Sequence, residues 1–417
     1  MALKVTSQKP GGSLFARVFR NKAQAQTKRK RYQPEGGSVM YQSLVQSPGK
    51  PVWMPREYAK FADEAYVRNV VAHRAISLIA QGAASAPWLL YSGKGDARQE
   101  VKSHAALSLL KSPNPLMNGA QFIENLVTYR MISGNAYMLA IGPGGGAPLE
   151  LHLLRPDRVQ VLAGKNGLPM GYQYETDQKI QYYMVHPVTG RSEILHLKTF
   201  HPMNDWYGLS PIEAAAYSID QHNQSGQWNQ ALLQNGARPS GALVVKSADG
   251  TGALSEEQYR RLKTQMDEQY SGALNAGRPL LLEGGLEWKE MSLSPKDMDF
   301  LNTKHSAARD IALAFGVPPQ LIGIPGDNTY SNLAEARLAL WEQTILPLLD
   351  NLSGALTNWL LPMFGGQLSF DYDTDEISAL NPRRDIIWNR LEQTSFMTLN
   401  EKRRAVGLSP VADGDRV

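Results

Sequence analysis

Two long helical segments that enclose a small insert constrain this chain more than any other feature. The first opens at Ser210, whose hydroxyl can cap a helix, while Pro211 suits the first helical position and Glu213 completes a capping box. It closes at Gly236, a residue type that suits the turn after a helix. A helix of roughly 26 residues is about 39 Å long at 1.5 Å per residue. The pattern therefore predicts a long helix that leads away from the main body.

The second long helix returns the chain to the body after a compact insert at residues 237–293. It opens at Ser294-Pro295 and closes at Gly316. The insert has the pattern of a small α/β module, with predicted elements at Gly241–Lys246 (strand), Ser255–Ser271 (helix), Arg278–Glu283 (strand) and Leu286–Ser292 (strand). This order predicts a stalk that carries a knob.

The rest of the chain has the alternation of an α+β protein. Helical spacing at residues 57–81 places Val67 and Val70 on the expected apolar face, and short strands with hairpin turns follow between residues 87 and 197. A further helix of about 30 residues begins near Asn332 and has Pro347 in its middle. Because proline removes a backbone hydrogen bond and crowds the preceding turn, we predict a kink at Pro347.

The first long helix is rich in amides. Between residues 220 and 235 it has few apolar side chains and almost no formal charge. A helix of this kind buries poorly in a monomer, so it suits a contact between subunits or the wall of a water-filled passage. An ordinary exposed helix, the alternative, would carry more Lys and Glu. The candidate lining residues are Gln221, Gln224, Gln227 and Gln234.

Positive charge is concentrated at the start of the chain. Residues 1–34 hold nine Lys or Arg and no Asp or Glu, whereas the net charge of the whole chain is only +4, so the remainder is net acidic. Residues 1–54 are expected to form a disordered basic arm. The arm is either a solubilising tail or an electrostatic contact to nucleic acid or an acidic partner, with Lys28, Arg29, Lys30 and Arg31 at its centre.

Catalytic and metal-binding patterns are weak throughout the sequence. There are no cysteines, no phosphate-binding loop with a Gly-Lys-Ser/Thr ending, and no His-Glu-x-x-His. Asp371, Asp373 and Asp375 resemble the start of a calcium loop, but Glu376 and Pro382 replace its glycine and final glutamate. We therefore expect no enzyme activity, metal or cofactor. No apolar run is long enough to predict a membrane span.

Several short motifs in a fixed order resemble the portal proteins of long-tailed bacteriophages, and those of gene transfer agents, over about residues 55–410. In the first half they are His104-Ala-Ala-Leu107 with Pro113-Asn-Pro115, Gly134-Asn-Ala-Tyr137 and Leu154-Arg-Pro156. In the second half they are Tyr207-Gly-Leu-Ser-Pro211, Gln234-Asn-Gly236, Leu282-Glu-Gly-Gly285, Phe315-Gly-Val-Pro-Pro319 and Asn400-Glu-x-Arg403. Each motif alone is weak, and their order and spacing carry the resemblance.

The resemblance implies a ring of subunits, usually twelve, at one vertex of a capsid. It assigns residues 1–54 to the arm, 55–209 and 332–376 to a wing, 210–236 and 294–316 to a two-helix stem, 237–293 to a clip, 317–331 to a tunnel loop and 377–417 to a short helical crown. In the tunnel loop, Asp327, Asn328, Thr329 and Tyr330 would face DNA, and the loop has no positive charge.

The implied function is a channel through which double-stranded DNA is packaged and later ejected. Its implied partners are the large terminase subunit, head–tail adaptor proteins, and the major capsid and scaffold proteins. Its implied location is the virion, with the host cytoplasm during assembly. Two alternatives stay open at this stage: a metal-dependent nuclease or hydrolase that uses the carboxylates at 371–376, and a different ring protein of the head–tail connection.

Overall fold

Eleven helical segments carry most of the described chain. The computed structural model describes residues 57–93, 98–143, 146–164, 168–177, 179–234, 241–245, 255–270, 286–290, 300–324, 330–408 and 411–415, all within one unit that spans Trp53–Val417. The helices are α1 (Tyr58–Lys60, continued as a π-helix at Phe61–Val67), α2 (Val70–Ser85), α3 (Ala105–Lys111), α4 (Gly119–Ser133), α5 (Pro211–Gln234), α6 (Glu256–Tyr270), α7 (Phe300–Ala314), α8 (Tyr330–Leu340), α9 (Leu346–Trp359), α10 (Asn381–Gln393) and α11 (Leu399–Ala405).

Four small antiparallel sheets complete the α+β fold. The strands are β1 (Trp88–Ser92), β2 (Gln99–Glu100), β3 (Asn135–Ile141), β4 (Glu150–Leu154), β5 (Val159–Ala163), β6 (Pro169–Glu175), β7 (Ile180–Met184), β8 (Ile194–Lys198), β9 (Gly241–Val245), β10 (Leu286–Glu290) and β11 (Leu368–Tyr372). Their orders are β11-β1-β2, β4-β3-β8, β5-β6-β7 and β10-β9. The last pair belongs to the knob, where Trp288 lies opposite Leu243.

One main core joins helices of the predicted wing to the base of the predicted stalk. Helix α2 packs on α4, and α9 packs on β11. The core also includes Ile212 and Ile219 of α5 together with Ile311 of α7, all fully buried. A smaller second core lies between two sheets and contains Tyr137, Tyr172 and Ile194. The stalk is therefore rooted in the same apolar interior as the wing.

The long helix after Tyr330 is irregular where the proline predicts a disturbance. Helix α8 ends at Leu340, a π-helical segment covers Trp341–Ile345, and α9 begins one residue before Pro347. A π-helical turn is a known way to absorb a missing or misaligned backbone hydrogen bond. The bend angle at Pro347 stays a prediction.

The first predicted helix is interrupted. The segment 57–81 divides at Asn69, which is the N-cap of α2 and accepts hydrogen bonds from the amides of Val71 and Ala72. The cap changes the helical phase, so Val67 and Val70 are exposed instead of lying on the apolar face. The hydrophobic periodicity predicted one continuous helix because the capping residue, Asn69, lies inside an apolar run.

Some predicted features lie outside the described residues. These are the basic arm with Lys28, Arg29, Lys30 and Arg31, the strand at 278–283, the helix ends at Gly236 and Ser294, and the loop residues Asp327, Asn328 and Thr329. The described part of the chain contains no helix with the length and apolarity that crossing a membrane requires.

Candidate functional site: the stem and its joints

The two stalk helices lie side by side and pack through small and branched side chains. Ile212, Ala215 and Ile219 of α5 are buried, as are Ala308 and Ile311 of α7. On a neighbouring side of the pair, the hydroxyl of Ser218 donates to a carboxylate oxygen of Asp310 at 3.4 Å. The predicted long helix and its returning partner therefore form one two-helix element over their described lengths.

An exposed stripe runs along α5. Ala214, Tyr217, Gln221 and Gln224 are all exposed, and their spacing of three and four residues places them on one face. Gln227 is also exposed and continues this face. Three of the four predicted lining glutamines therefore share one exposed surface of the subunit, which we call the amide stripe (Gln221, Gln224 and Gln227). The side chain of Gln234 lies outside the described residues.

The opposite side of α5 is buried through polar contacts, which corrects the expectation that this helix buries poorly. The side-chain amide nitrogen of Asn69 donates to Nδ1 of His222 at 3.2 Å and to Oδ1 of Asn223 at 2.9 Å. Asn223 in turn donates to the backbone carbonyl of Glu64 at 2.9 Å. Because Asn69 also caps α2, both hydrogens and the oxygen of its amide are used.

His222 is neutral in this network. Burial lowers its pKa, and the nearby charge of Lys304 lowers it further. A neutral imidazole leaves Nδ1 free to accept the hydrogen from Asn69. The network could not be predicted from the sequence, because its partners lie 153 and 154 residues apart in the chain. The only local signal was Asn69 as a helix cap.

The stalk enters the body at a joint made by two of the sequence motifs, Gly134-Asn-Ala-Tyr137 and Tyr207-Gly-Leu-Ser-Pro211. Ser210 caps α5 as predicted, because its hydroxyl oxygen accepts a hydrogen bond from the amide of Ile212 at 3.1 Å. The same hydroxyl lies 2.9 and 2.8 Å from the carbonyl oxygens of Met131 and Ile132 at the end of α4. One side chain therefore ties the start of the stalk to the end of a wing helix.

Asn135 connects the segment after α4 to the segment before α5. Its Oδ1 accepts from the amide of Gly208 at 2.7 Å and faces Nε2 of His196 at 3.0 Å. The carbonyl of Gly134 accepts from the amide of Thr199 at 3.0 Å, and the hydroxyl of Thr199 lies between the carbonyl oxygens of Gly134 and Leu209. Gly134 itself has a φ of +73°, the left-handed conformation that glycine adopts without strain. We call this set, Gly134, Asn135, Thr199, Gly208 and Ser210, the wing–stem joint.

Aromatic rings pack around His196, the histidine that contacts Asn135 of the joint. The ring of His196 stacks on Tyr137 with centroids 4.3 Å apart and meets Tyr172 edge-on at 5.8 Å. Burial, and to a smaller degree the charge of Lys198, lowers the pKa of His196 to about 3. The imidazole is therefore neutral at physiological pH and donates its Nε2 hydrogen to Asn135.

The returning helix meets the wing at a second joint. Gly316 has a φ of +65° and ends α7, as the sequence predicted. The hydroxyl of Thr344, in the π-helical segment, donates to the carbonyl of Gly316 at 2.7 Å. On the neighbouring side of that segment, Ile345 is fully buried against Gly82 of α2, where a Cβ would lie 2.5 Å from its Cδ1. The helix irregularity therefore contacts both the turn that ends α7, through Thr344, and helix α2, through Ile345.

The predicted tunnel loop is anchored at its start. Val317 and Ile324 are buried, and a short 3₁₀-helix covers Pro319–Leu321 between them. Gly323 has a φ of +81°, the left-handed conformation that lets glycine turn the chain. At the other end, α8 already begins at Tyr330, two residues before the predicted helix start. Capping signals place a helix end only to within a residue or two.

Two of the carboxylates at 371–376 are engaged within the chain. Asp371 pairs with Arg98 at 2.6 Å, and Asp373 accepts from the amide of Asp375 at 2.8 Å. Among the described residues, no group of three or more His, Cys, Asp or Glu is arranged to hold a metal ion. Strand β11, which contains Asp371, lies at the edge of its sheet.

Comparisons with known proteins identify the class of this fold and the family of the chain. Residues 70–407 match the family model described as phage portal protein. The chain belongs to this family. The portal protein of Enterobacteria phage HK97 is 26% identical over 85% of this chain and 82% of its own length. A protein of Rickettsia bellii is 48% identical over 84% of this chain and 90% of its own length.

Solved structures agree with the sequence relatives. The chain resembles a subunit in the neck of a native gene transfer agent particle reconstructed with C12 symmetry, with 44% identity and a TM-score of 0.66 over 87% of this chain and 96% of that one. An HK97-family phage portal protein from Corynebacterium diphtheriae shares the fold, with a TM-score of 0.54 over 79% of this chain and 98% of that one at 14% identity. The predicted portal-type fold is confirmed, and the chain is a portal protein of a structural family.

Proposed function

We propose that copies of this chain form a ring whose central channel is lined by the amide stripe of α5. In this ring, double-stranded DNA would pass inward during packaging and outward during ejection. The observation that carries the proposal is the contrast between the two sides of α5. One side is fixed to the body by the Asn69–His222–Asn223 network, whereas Gln221, Gln224 and Gln227 are exposed in the subunit.

The chemistry of the stripe suits a duplex that must move. Lysine or arginine side chains would neutralise phosphates and release counterions, which produces tight, salt-dependent binding. Side-chain amides form neutral hydrogen bonds with water or phosphate, which are weaker than charge-assisted ones and exchange readily. A ring lined in this way would surround DNA without holding it in one position.

The ring form is supported by the relatives. The neck of the gene transfer agent particle was reconstructed with twelvefold symmetry, and the matching chain in it covers 87% of this chain. Twelve subunits are therefore the number that we propose. We also propose a location at the portal vertex of a particle, preceded by assembly in the cytoplasm of the host.

The stripe is tested by the rate of DNA packaging. The double substitution Gln221→Lys with Gln224→Lys should slow packaging, because each subunit adds two phosphate-binding charges to the channel. The matched control is Gln81→Lys with Gln121→Lys, which adds the same charge at exposed positions on the wing helices α2 and α4. Equal packaging rates in the two double variants would contradict a channel-lining role.

The knob is the proposed binding site for partner proteins. The knob, residues 237–293, would receive the large terminase subunit during packaging and head–tail adaptor proteins afterwards. Its described helix α6 exposes a charged surface that includes the Arg260–Glu256 ion pair at 2.9 Å. Replacing residues 241–290 by a short linker should abolish terminase binding, and retained binding would refute this role.

The arm and the tunnel loop complete the proposal. Lys28, Arg29, Lys30 and Arg31 would contact capsid, scaffold or DNA, so a chain without residues 1–34 should enter heads poorly; normal incorporation would refute this. Asp327, Asn328, Thr329 and Tyr330 would face the duplex at the narrowest part of the channel. A photoreactive group at Asn328 should therefore cross-link to packaged DNA, whereas one at Gln121 should not.

A further inference from the structure

The C-terminal crown is folded without an apolar core of its own. In the described residues from 381 onward, which we call the crown hairpin, no large apolar side chain is buried. Ile386, Trp388 and Phe396 are 52%, 51% and 78% exposed. A monomeric protein normally covers such residues, and a cluster of them on one small element indicates a contact surface.

Polar contacts hold the crown hairpin in shape. Thr398 and Glu401 form a capping box at the start of α11. Asn400 is buried and bonds to the backbone of Val411 through both its amide nitrogen and its oxygen, at 3.0 and 2.8 Å. Arg383 pairs with Glu342 of the π-helical segment at 2.8 Å. The exposed apolar residues are therefore presented by a defined scaffold.

The apolar side chains of α10 point in different directions. Consecutive residues of an α-helix are rotated by about 100°, so Ile386 and Trp388 are about 200° apart around the axis. Ile387 and Trp388 line a cleft of about 420 Å³, together with Leu346, Leu380 and Val406. Ile386 lies on another side of the helix and is not part of this cleft. One covering surface could not bury both sides.

We infer that the cleft of one subunit receives the Ile386 side of α10 from the next subunit in the ring. A head-to-tail ring contact joins two different surfaces of the same chain, and α10 carries both of them. The neck of the 44% identical relative was reconstructed with C12 symmetry, in which each subunit meets its two neighbours through two different surfaces. This inference rests on the proposed ring.

Charge favours a second copy over DNA as the occupant of the cleft. The guanidinium groups at the cleft are engaged within the chain, because Arg383 pairs with Glu342 and Arg384 donates to the carbonyl of Asp375 at 3.0 Å. A DNA backbone would require free cationic groups, whereas apolar side chains gain from burial against each other.

Disulfide trapping tests the contact, because the chain has no cysteine of its own. The double variant Ile386→Cys with Val406→Cys should give a ladder of covalent multimers on oxidation, and each single variant should stay monomeric on denaturing gels. The matched control, Gln121→Cys with Val406→Cys, places the first thiol on a wing helix and should give no ladder. Dimers from the Ile386→Cys single variant would overturn the head-to-tail contact.

Native mass spectrometry of the unmodified chain distinguishes a failure of the crown contact from a failure of the proposed ring. Rings in the unmodified and the Cys-substituted chains without a disulfide ladder would overturn the crown contact alone. An unmodified chain that forms no ring would overturn the proposed function as well as this inference. Rings with the ladder confined to the Ile386→Cys, Val406→Cys double variant would support both.

Discussion

A single methyl group at Gly208 should loosen the wing–stem joint. A Cβ at this position would lie 2.6 Å from the amide nitrogen and 2.9 Å from the carbonyl oxygen of Thr199, and would also collide with the carbonyl oxygen of Gly134. All three neighbours are backbone atoms, so no flexible side chain can move away. The backbone of the joint has to separate instead.

The magnitude follows from what that separation breaks. Overpacking in a tight site costs about 1–3 kcal/mol. Moving Gly208 or Gly134 also breaks the bond from the Gly208 amide to Asn135 and the bond from the Thr199 amide to Gly134, each worth about 1 kcal/mol. We therefore expect Gly208→Ala to reduce the free energy of unfolding by about 3–5 kcal/mol, the overpacking cost plus the cost of the two bonds.

Chemical denaturation of the purified protein measures this loss, with Gly354→Ala as the control. Gly354 is an exposed residue of α9, and a Cβ there meets no atom within 4 Å. Alanine favours a helix over glycine by about 0.5–1 kcal/mol, so the control should be slightly stabilised. If Gly208→Ala unfolds at the same denaturant concentration as Gly354→Ala, the steric account of the joint is wrong.

Two further predictions concern buried polar groups. Asn69→Ala should lower the free energy of unfolding by about 2–4 kcal/mol, because it removes a helix cap and leaves Asn223 and His222 each short of one hydrogen-bond partner. The control Asn118→Ala removes only a helix cap and should lower it by about 1 kcal/mol. Equal losses of the two variants in denaturant titrations would contradict the network. His196, with its pKa lowered from 6.5 to about 3, stabilises the fold above pH 6.5, and this stabilisation is lost progressively as the pH falls below 6.5. At pH 5 the loss should reach about 2 kcal/mol, and His196→Phe should show a smaller difference between pH 7 and pH 5 in the same titrations; an equal difference would exclude His196 as the cause.

Capping residues, glycine and proline predicted where the stalk helices and the irregular helix begin, end or change. Ser210 and Pro211 marked the start of α5, Gly316 marked the end of α7, and Pro347 marked the helix irregularity. Each of these signals acts within one helical turn, through a cap, a left-handed φ or a missing amide hydrogen. Such signals can be recognised from sequence because the interacting groups are neighbours in the chain.

Long-range contacts could not be predicted in the same way. Two hydrogen bonds depend on how distant elements pack: the bond between Asn69 and Asn223, and the bond between Asn135 and Gly208. The motifs of the resemblance did mark one such joint, since Gly134-Asn-Ala-Tyr137 and Tyr207-Gly-Leu-Ser-Pro211 meet there. The sequence indicated that those residues matter, and the structure supplies the physical reason.

The arrangement of Asn223 and Gln224 shows what remained hidden. Neighbouring amides on one helix have different environments, because Asn223 bonds to the body whereas Gln224 lies on the exposed face. Composition alone predicted an unusual helix and could not assign its two sides. Only the three-dimensional position of α1 and α2 separates the anchoring amides from the amide stripe.

Cryo-electron microscopy of the purified full-length chain tests the central claim most directly. The account predicts a closed ring of subunits in which Gln221, Gln224 and Gln227 of every α5 face the open central channel. A ring in which these side chains are buried between neighbouring subunits, or a protein that stays monomeric, would contradict it.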